Sequence, residues 1–112
     1  MTGYDLINEI GDLLNMLSKA VTAYSRRGEE KSKAEYEYRV ALAQKMLELR
    51  ANGYPATLIP DLARGDKEVA KLKLHRDIAE ASHDAAKEAI QQYKIQIKTR
   101  ESQVQREWGD AK

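Results

Sequence analysis

The feature that most constrains this fold is an absence: from Asp66 to Trp108 the sequence contains neither proline nor glycine. Inside a helix, proline costs about 3 kcal/mol and glycine about 1 kcal/mol relative to alanine, so a long stretch without them favours one uninterrupted helix. Alanine, lysine, glutamate and glutamine recur throughout this stretch, and all four are good helix formers. The sequence therefore predicts a helix over about residues 66–108.

A second long helix is predicted over about residues 3–51. Thr2 followed by Asp5 is typical of a helix N-terminus, and Asn52-Gly53 before Pro55 is typical of a helix C-terminus. Between these signals, aliphatic residues alternate at spacings of three and four, as in a coiled-coil seam: Ile7, Ile10, Leu14, Leu17 and Val21. The spacing resumes with Tyr36, Val40, Ala43 and Leu47.

Gly28 interrupts this pattern within a polar stretch, residues 25–33. One glycine costs a helix only about 1 kcal/mol, and Glu29 and Lys33 are placed for a favourable pair one turn apart. The sequence favours a continuous helix with a weak point at Gly28. The alternative is a break at Gly28, after which the pieces would fold into a three-helix monomer.

Residues 52–65 link two helices of similar length, so the predicted fold is all-α: a long antiparallel, coiled-coil-like hairpin. Thr57 and Pro60 suit a short helical turn at its tip, and Asp66 suits the N-cap of the second helix. We expect residues 1–112 to form a single helical domain. Leu6, Leu13 and Ala20 widen the aliphatic seam of the first helix on one side. The seam is then wider than one partner helix covers, which predicts a homodimer in which two hairpins form a four-helix bundle.

The amino-acid composition limits the classes of function that the protein can have. There are 19 basic and 18 acidic residues and no cysteine, so no strong global field, disulfide or thiolate chemistry is expected. The N-terminal segment resembles neither a signal peptide nor a membrane span, and we expect a cytoplasmic protein without membrane contact. Glu80 and His83 match half of a di-iron site, but no second half exists. We predict no enzyme activity, metal or cofactor.

Three surfaces are candidates for binding. At the tip, the predicted protein-binding residues are Tyr54, Leu58, Ile59, Leu62 and Arg64, because apolar bulk in a connector is typical of an interaction site. The alternative is that the apolar residues of the tip plug the end of the two-helix core. The predicted self-association residues are Ile7, Ile10, Leu14, Leu17 and Val21. A basic cluster could contact nucleic acid, although nearby acids favour a solvated face instead: Lys67, Lys71, Lys73 and Arg76.

Three segments carry a resemblance: Gly53-Tyr54-Pro55, the run from Asp61 to Asp66, and Arg106-Glu107-Trp108. Over about residues 36–108 the chain is similar to small uncharacterised helical proteins of phages and prophages of Gram-positive bacteria. The resemblance implies a protein of the bacterial host cytoplasm that binds a host or phage partner. We expect it to modulate, as an inhibitor, a nucleic-acid-handling protein such as a host defence complex. The alternative is a recombination or replication accessory that contacts DNA itself.

Overall fold

The computed structural model describes residues 2–110, which form three helices and no strand: α1 spans Gly3–Ala51, α2 spans Ile59–Arg64 and α3 spans Lys67–Asp110. The predicted all-α helical hairpin is confirmed, with two long helices joined through a short one. Helix α1 runs without interruption through Gly28. The alternative of a break at that glycine is therefore wrong.

Local hydrogen bonds define where α1 begins and ends. The Thr2 hydroxyl accepts a bond from the Asp5 amide at 3.1 Å, and the Asp5 carboxylate accepts one from the Thr2 amide at 3.2 Å. At the other end, Gly53 has a φ of 84°. Its amide and the Tyr54 amide donate to the carbonyls of Arg50 and Leu49, so the last turn closes on itself and the chain reverses.

Local features also define the start of α2 and the start of α3. Pro60 lies in the first turn of α2, where its missing N–H is harmless. Leu58 occupies the N-cap position and makes no side-chain cap, so the cap predicted at Thr57 is not formed. Asp66 caps α3 as predicted, since its carboxylate accepts bonds from the amides of Glu68 and Val69, both at 3.2 Å.

Contacts group the chain into two units. The terminal unit comprises the residues up to Arg26 and from Asp84 onward, and the tip unit comprises Arg27–His83. In the tip unit, Leu49 of α1 packs with Ile59 and Ala63 of α2, and the cluster is extended by Leu42 and Met46.

In α1 the buried side of the helix is the flank of the predicted seam, one position from the centre of that seam. In the terminal unit Leu6, Leu13 and Ala20 are the more buried positions of α1, whereas the neighbouring Ile7, Leu14 and Val21 are exposed and Ile10 and Leu17 are half-buried. In the tip unit, Ala34, Tyr38 and Leu49 are buried. The residues predicted to continue the seam are all exposed: Tyr36, Val40, Ala43 and Leu47.

Helix α3 turns a mixture of small and aliphatic residues inward. Val69, Ala79, Ala86 and Ile97 are buried, while Leu74 and Ile78 are exposed. Alanine also occurs at exposed positions such as Ala70 and Ala81, so the alanine content of the helix does not decide which of its sides is buried. Small side chains fill much of the space between the helices, and within residues 2–110 no large side chain is fully buried.

Candidate protein-binding groove at the tip

An apolar groove of about 770 Å³ lies between the last turns of α1 and the connector with α2. We refer to it as the tip groove. From α1 it is lined by Ala43, Met46, Leu47 and Arg50, and from the connector and α2 by Tyr54, Ala56, Ile59 and Pro60. Leu47 is 65% exposed and Tyr54 is 47% exposed, so both side chains are available to a partner.

The reversal at Gly53 and the packing of α2 together create the groove. The turn brings Tyr54 back beside the end of α1, and Ile59 then packs on Leu49. Because Ile59 is only 7% exposed, it anchors one wall of the groove instead of offering a free contact. The walls of the groove are therefore held in place by the small hydrophobic core of Leu49, Ile59 and Ala63.

An ion pair fixes the start of α3 to α1 beside this core. The Lys45 ammonium lies 3.4 Å from the Asp66 carboxylate and 3.6 Å from that of Glu48. Partial burial lowers the pKa of Lys45, but the hydrogen bond to Asp66 and the two negative charges outweigh it and leave the pKa raised. The Val69 amide, followed by Lys45, lowers the pKa of Asp66. Both groups are therefore charged at neutral pH.

The lining chemistry suits a protein side chain better than a polar substrate. Aliphatic and aromatic groups dominate the walls, and Arg50 is the one charged residue among those that line it. Grooves of this kind accept the apolar face of a helix or a bulky apolar side chain. An acidic group on the ligand would find Arg50 at the edge.

The predicted tip residues have different positions. Tyr54 lines the groove, whereas Leu58 at the N-cap of α2 and Leu62 within α2 are exposed outside it. Arg64 lies on the surface, 3.5 Å from the Asp61 carboxylate. Ile59 is buried against Leu49 and Ala63, as expected of a tip that plugs the end of the helical core.

Sequence reasoning missed the α1 side of the groove. Leu47 and Ala43 were assigned to the interhelical seam, and Arg50 was not considered. The available signal was that Leu47 and Leu49 lie two positions apart, so on a helix they point to opposite sides and only one of them can face α3.

The predicted basic cluster does not form one surface. The Arg76 guanidinium lies 3.4 Å from Glu35, 3.1 Å from Asp77 and 4.6 Å from the centre of the Tyr38 ring. Its pKa is raised, first by the hydrogen bond to Asp77, and that of Glu35 is lowered, first by the hydrogen bond from Arg39. The Arg76 side chain is thus held by acidic groups at the helix interface, and its contact with phosphate stays a prediction.

The three lysines are exposed but divided between faces. Lys67 and Lys71 are one turn apart and share a side of α3, whereas Lys73 points away from Lys71. Phosphate binding gains from several cations on one face, which this arrangement lacks.

Within residues 2–110, no helix has the length and apolar character needed to cross a bilayer. Among the same residues, no three histidine or carboxylate side chains are grouped so as to hold a metal ion. No protein-family model matches the sequence, and no curated protein or solved structure shows significant similarity to it.

Proposed function

We propose that this chain is a non-enzymatic interaction protein that binds another protein through the tip groove. The observation that carries the proposal is the pairing of two exposed apolar side chains, Leu47 and Tyr54, on a concave surface braced by the buried Ile59. Concave apolar surfaces with rigid walls are typical of sites that take a partner's anchor residue. Arg50 favours an anchor segment that carries an acidic group.

The resemblance to small phage proteins suggests the class of partner. We propose a host or phage protein that handles nucleic acid as the partner, with inhibition as the outcome of binding. Direct contact with DNA is the alternative. Two observations weaken that alternative. Arg76 forms ion pairs with Glu35 and Asp77, and the three lysines lie on different sides of α3.

The test is affinity capture from a bacterial extract with the full chain as bait. Leu47→Ser and Tyr54→Ser alter the groove, and Leu74→Ser is the matched control because Leu74 is 60% exposed on α3. We expect a protein that wild type and the control retain and both groove variants lose. Its purified form should then bind wild type at least tenfold more tightly than Leu47→Ser.

Equal retention by all four baits would refute the groove as the binding site. Retention that nuclease treatment abolishes, and that weakens steeply with added salt, would support direct nucleic-acid contact instead.

A further inference from the structure

The terminal unit carries a long exposed helix face without charge. On α1, the exposed positions on the side of Leu14, from Tyr4 to Ser25, are all uncharged, in a chain of which 33% is charged. We call these positions the uncharged face. Its aliphatic members are spaced seven residues apart and are each about half exposed: Ile7, Leu14 and Val21.

A second element of the pattern is a row of small residues beside the aliphatic ones. Gly11, Ser18 and Ser25 repeat with the same period of seven. At Gly11, an added Cβ would have no atom within 4 Å, so the surface there is open. Aliphatic residues at a heptad period are what one helix presents to another, and small neighbours allow a close approach.

This face is also poorly covered by the terminal unit itself. Ile10 and Leu17, which lie between the face and the seam with α3, remain half-buried. Glu9 is turned away from it, because its carboxylate accepts a hydrogen bond from Arg100 of α3 at 2.7 Å. One more helix on this side would complete the burial of Ile10 and Leu17 without enclosing a charge.

We propose that the occupant of the uncharged face is the same face of a second copy of this chain, packed antiparallel about a two-fold axis near Leu14 and Asn15. Reversing the face about that axis places Gly11 opposite the partner copy's small residue at position 18, and Ile7 beside the partner copy's aliphatic residue at position 21. The pattern is thus compatible with its own reverse, as a two-fold interface requires.

Charge outside the face favours the antiparallel direction. Asp5 and Asp12 are exposed at one end of the face, and Lys19 and Arg26 are exposed at the other. A parallel pair would bring the two acidic ends to the same level, and likewise the two basic ends. An antiparallel pair brings the acidic end of each copy to the level of the basic end of the other, and opposite charges attract over a screening length of about 10 Å.

The first experiment measures mass by sedimentation equilibrium from about 10 to 300 µM. The variants are Leu14→Glu and Met16→Glu. Both side chains are similarly exposed, at 51% and 43%, but two residues turn the helix by about 200°, so Met16 lies on the other side. We expect wild type and Met16→Glu to approach twice the 12.7 kDa of one chain. Leu14→Glu should lower the association constant at least tenfold, because two like charges would meet near the axis.

The second experiment locates the interface and its direction. The chain has no cysteine, so single cysteines can be introduced one at a time. With diamide as the two-electron oxidant, Asn15→Cys should give a disulfide-linked dimer, and Met16→Cys should stay monomeric. Asn8→Cys should also stay monomeric in an antiparallel pair, since position 8 then faces position 21.

Several outcomes would overturn the proposal. These are a monomeric mass at every concentration, equal weakening by both glutamate variants, or cross-linking of Asn8→Cys in preference to Asn15→Cys. The tip groove shares no residue with this face, so loss of the dimer with capture intact separates this inference from the proposed function.

Discussion

Gly28 of α1 lies directly against His83 of α3: a Cβ atom at position 28 would come within 3.2 Å of the imidazole Nε2. Next to this contact, the Arg27 guanidinium donates a hydrogen bond to the Ser82 carbonyl at 3.2 Å. The glycine that weakens the helix in sequence therefore gives a bulky side chain of α3 the space to pack.

The first prediction follows from this contact. Alanine is favoured over glycine inside a helix by about 1 kcal/mol, and Gly11→Ala should gain about that amount because nothing lies within 4 Å. Gly28→Ala should gain less or lose stability, since the methyl group would press on His83. Urea unfolding, run at two protein concentrations so that any contribution of a dimer is seen, measures both. A double-mutant cycle with His83→Ala should restore the gain, and an equal gain at both glycines would contradict the argument.

The second prediction separates structure from contact at the tip. Ile59→Ala should lower the free energy of unfolding by about 2 to 5 kcal/mol, because it empties part of the small core with Leu49 and Ala63. Leu58→Ala is the matched control. Leu58 is 51% exposed, so its replacement should change the free energy of unfolding by no more than about 0.5 kcal/mol. Thermal unfolding measures the two variants together. Equal melting temperatures would contradict the assignment of Ile59 to the core.

The third prediction concerns the stability of the fold at low pH. The pKa of Asp66 lies below its ordinary value of 3.8, first because the Val69 amide donates a hydrogen bond to it. A carboxylate whose folded pKa is depressed stabilises the fold above the unfolded pKa and loses that effect as pH falls through the folded pKa. Wild type should therefore lose stability from about pH 5 downward, and Asp66→Asn should lose less over the same range. Asp84→Asn, which removes an exposed carboxylate away from the helix end, should follow wild type. Parallel curves for all three proteins would exclude Asp66 as a source of acid sensitivity.

Local signals were sufficient to predict the helix ends. Thr2, Gly53 and Asp66 each act through hydrogen bonds within a few residues, so their roles are visible in sequence. In α1 the buried side lies on the flank of the predicted seam and not at its centre, because apolar residues occur in adjacent pairs, such as Leu13 with Leu14. A one-residue step rotates the helix by about 100°, and periodicity alone does not choose between the two members of a pair.

The tip groove depends on tertiary packing, which is why only one side of it was predicted. Its formation requires α2 to dock on α1 through Ile59 and Leu49, and nothing in the local sequence of either helix specifies that contact. Tyr54 was found because apolar residues in a connector are unusual. Leu47 and Arg50 were missed because they belong to a helix whose exposed side was assigned incorrectly.

The separation of paired residues along the chain has a consequence for synthesis on the ribosome. Arg27 and the Ser82 carbonyl are 55 residues apart, and Glu9 and Arg100 are 91 residues apart. At translation rates of about 5 to 20 residues per second, Glu9 waits roughly 5 to 20 s for its partner to be made. During that interval the first turns of α1 present Leu6, Leu13 and their aliphatic neighbours without α3. Several ribosomes that translate the same mRNA would therefore carry nascent chains that expose the same apolar stretch at the same time.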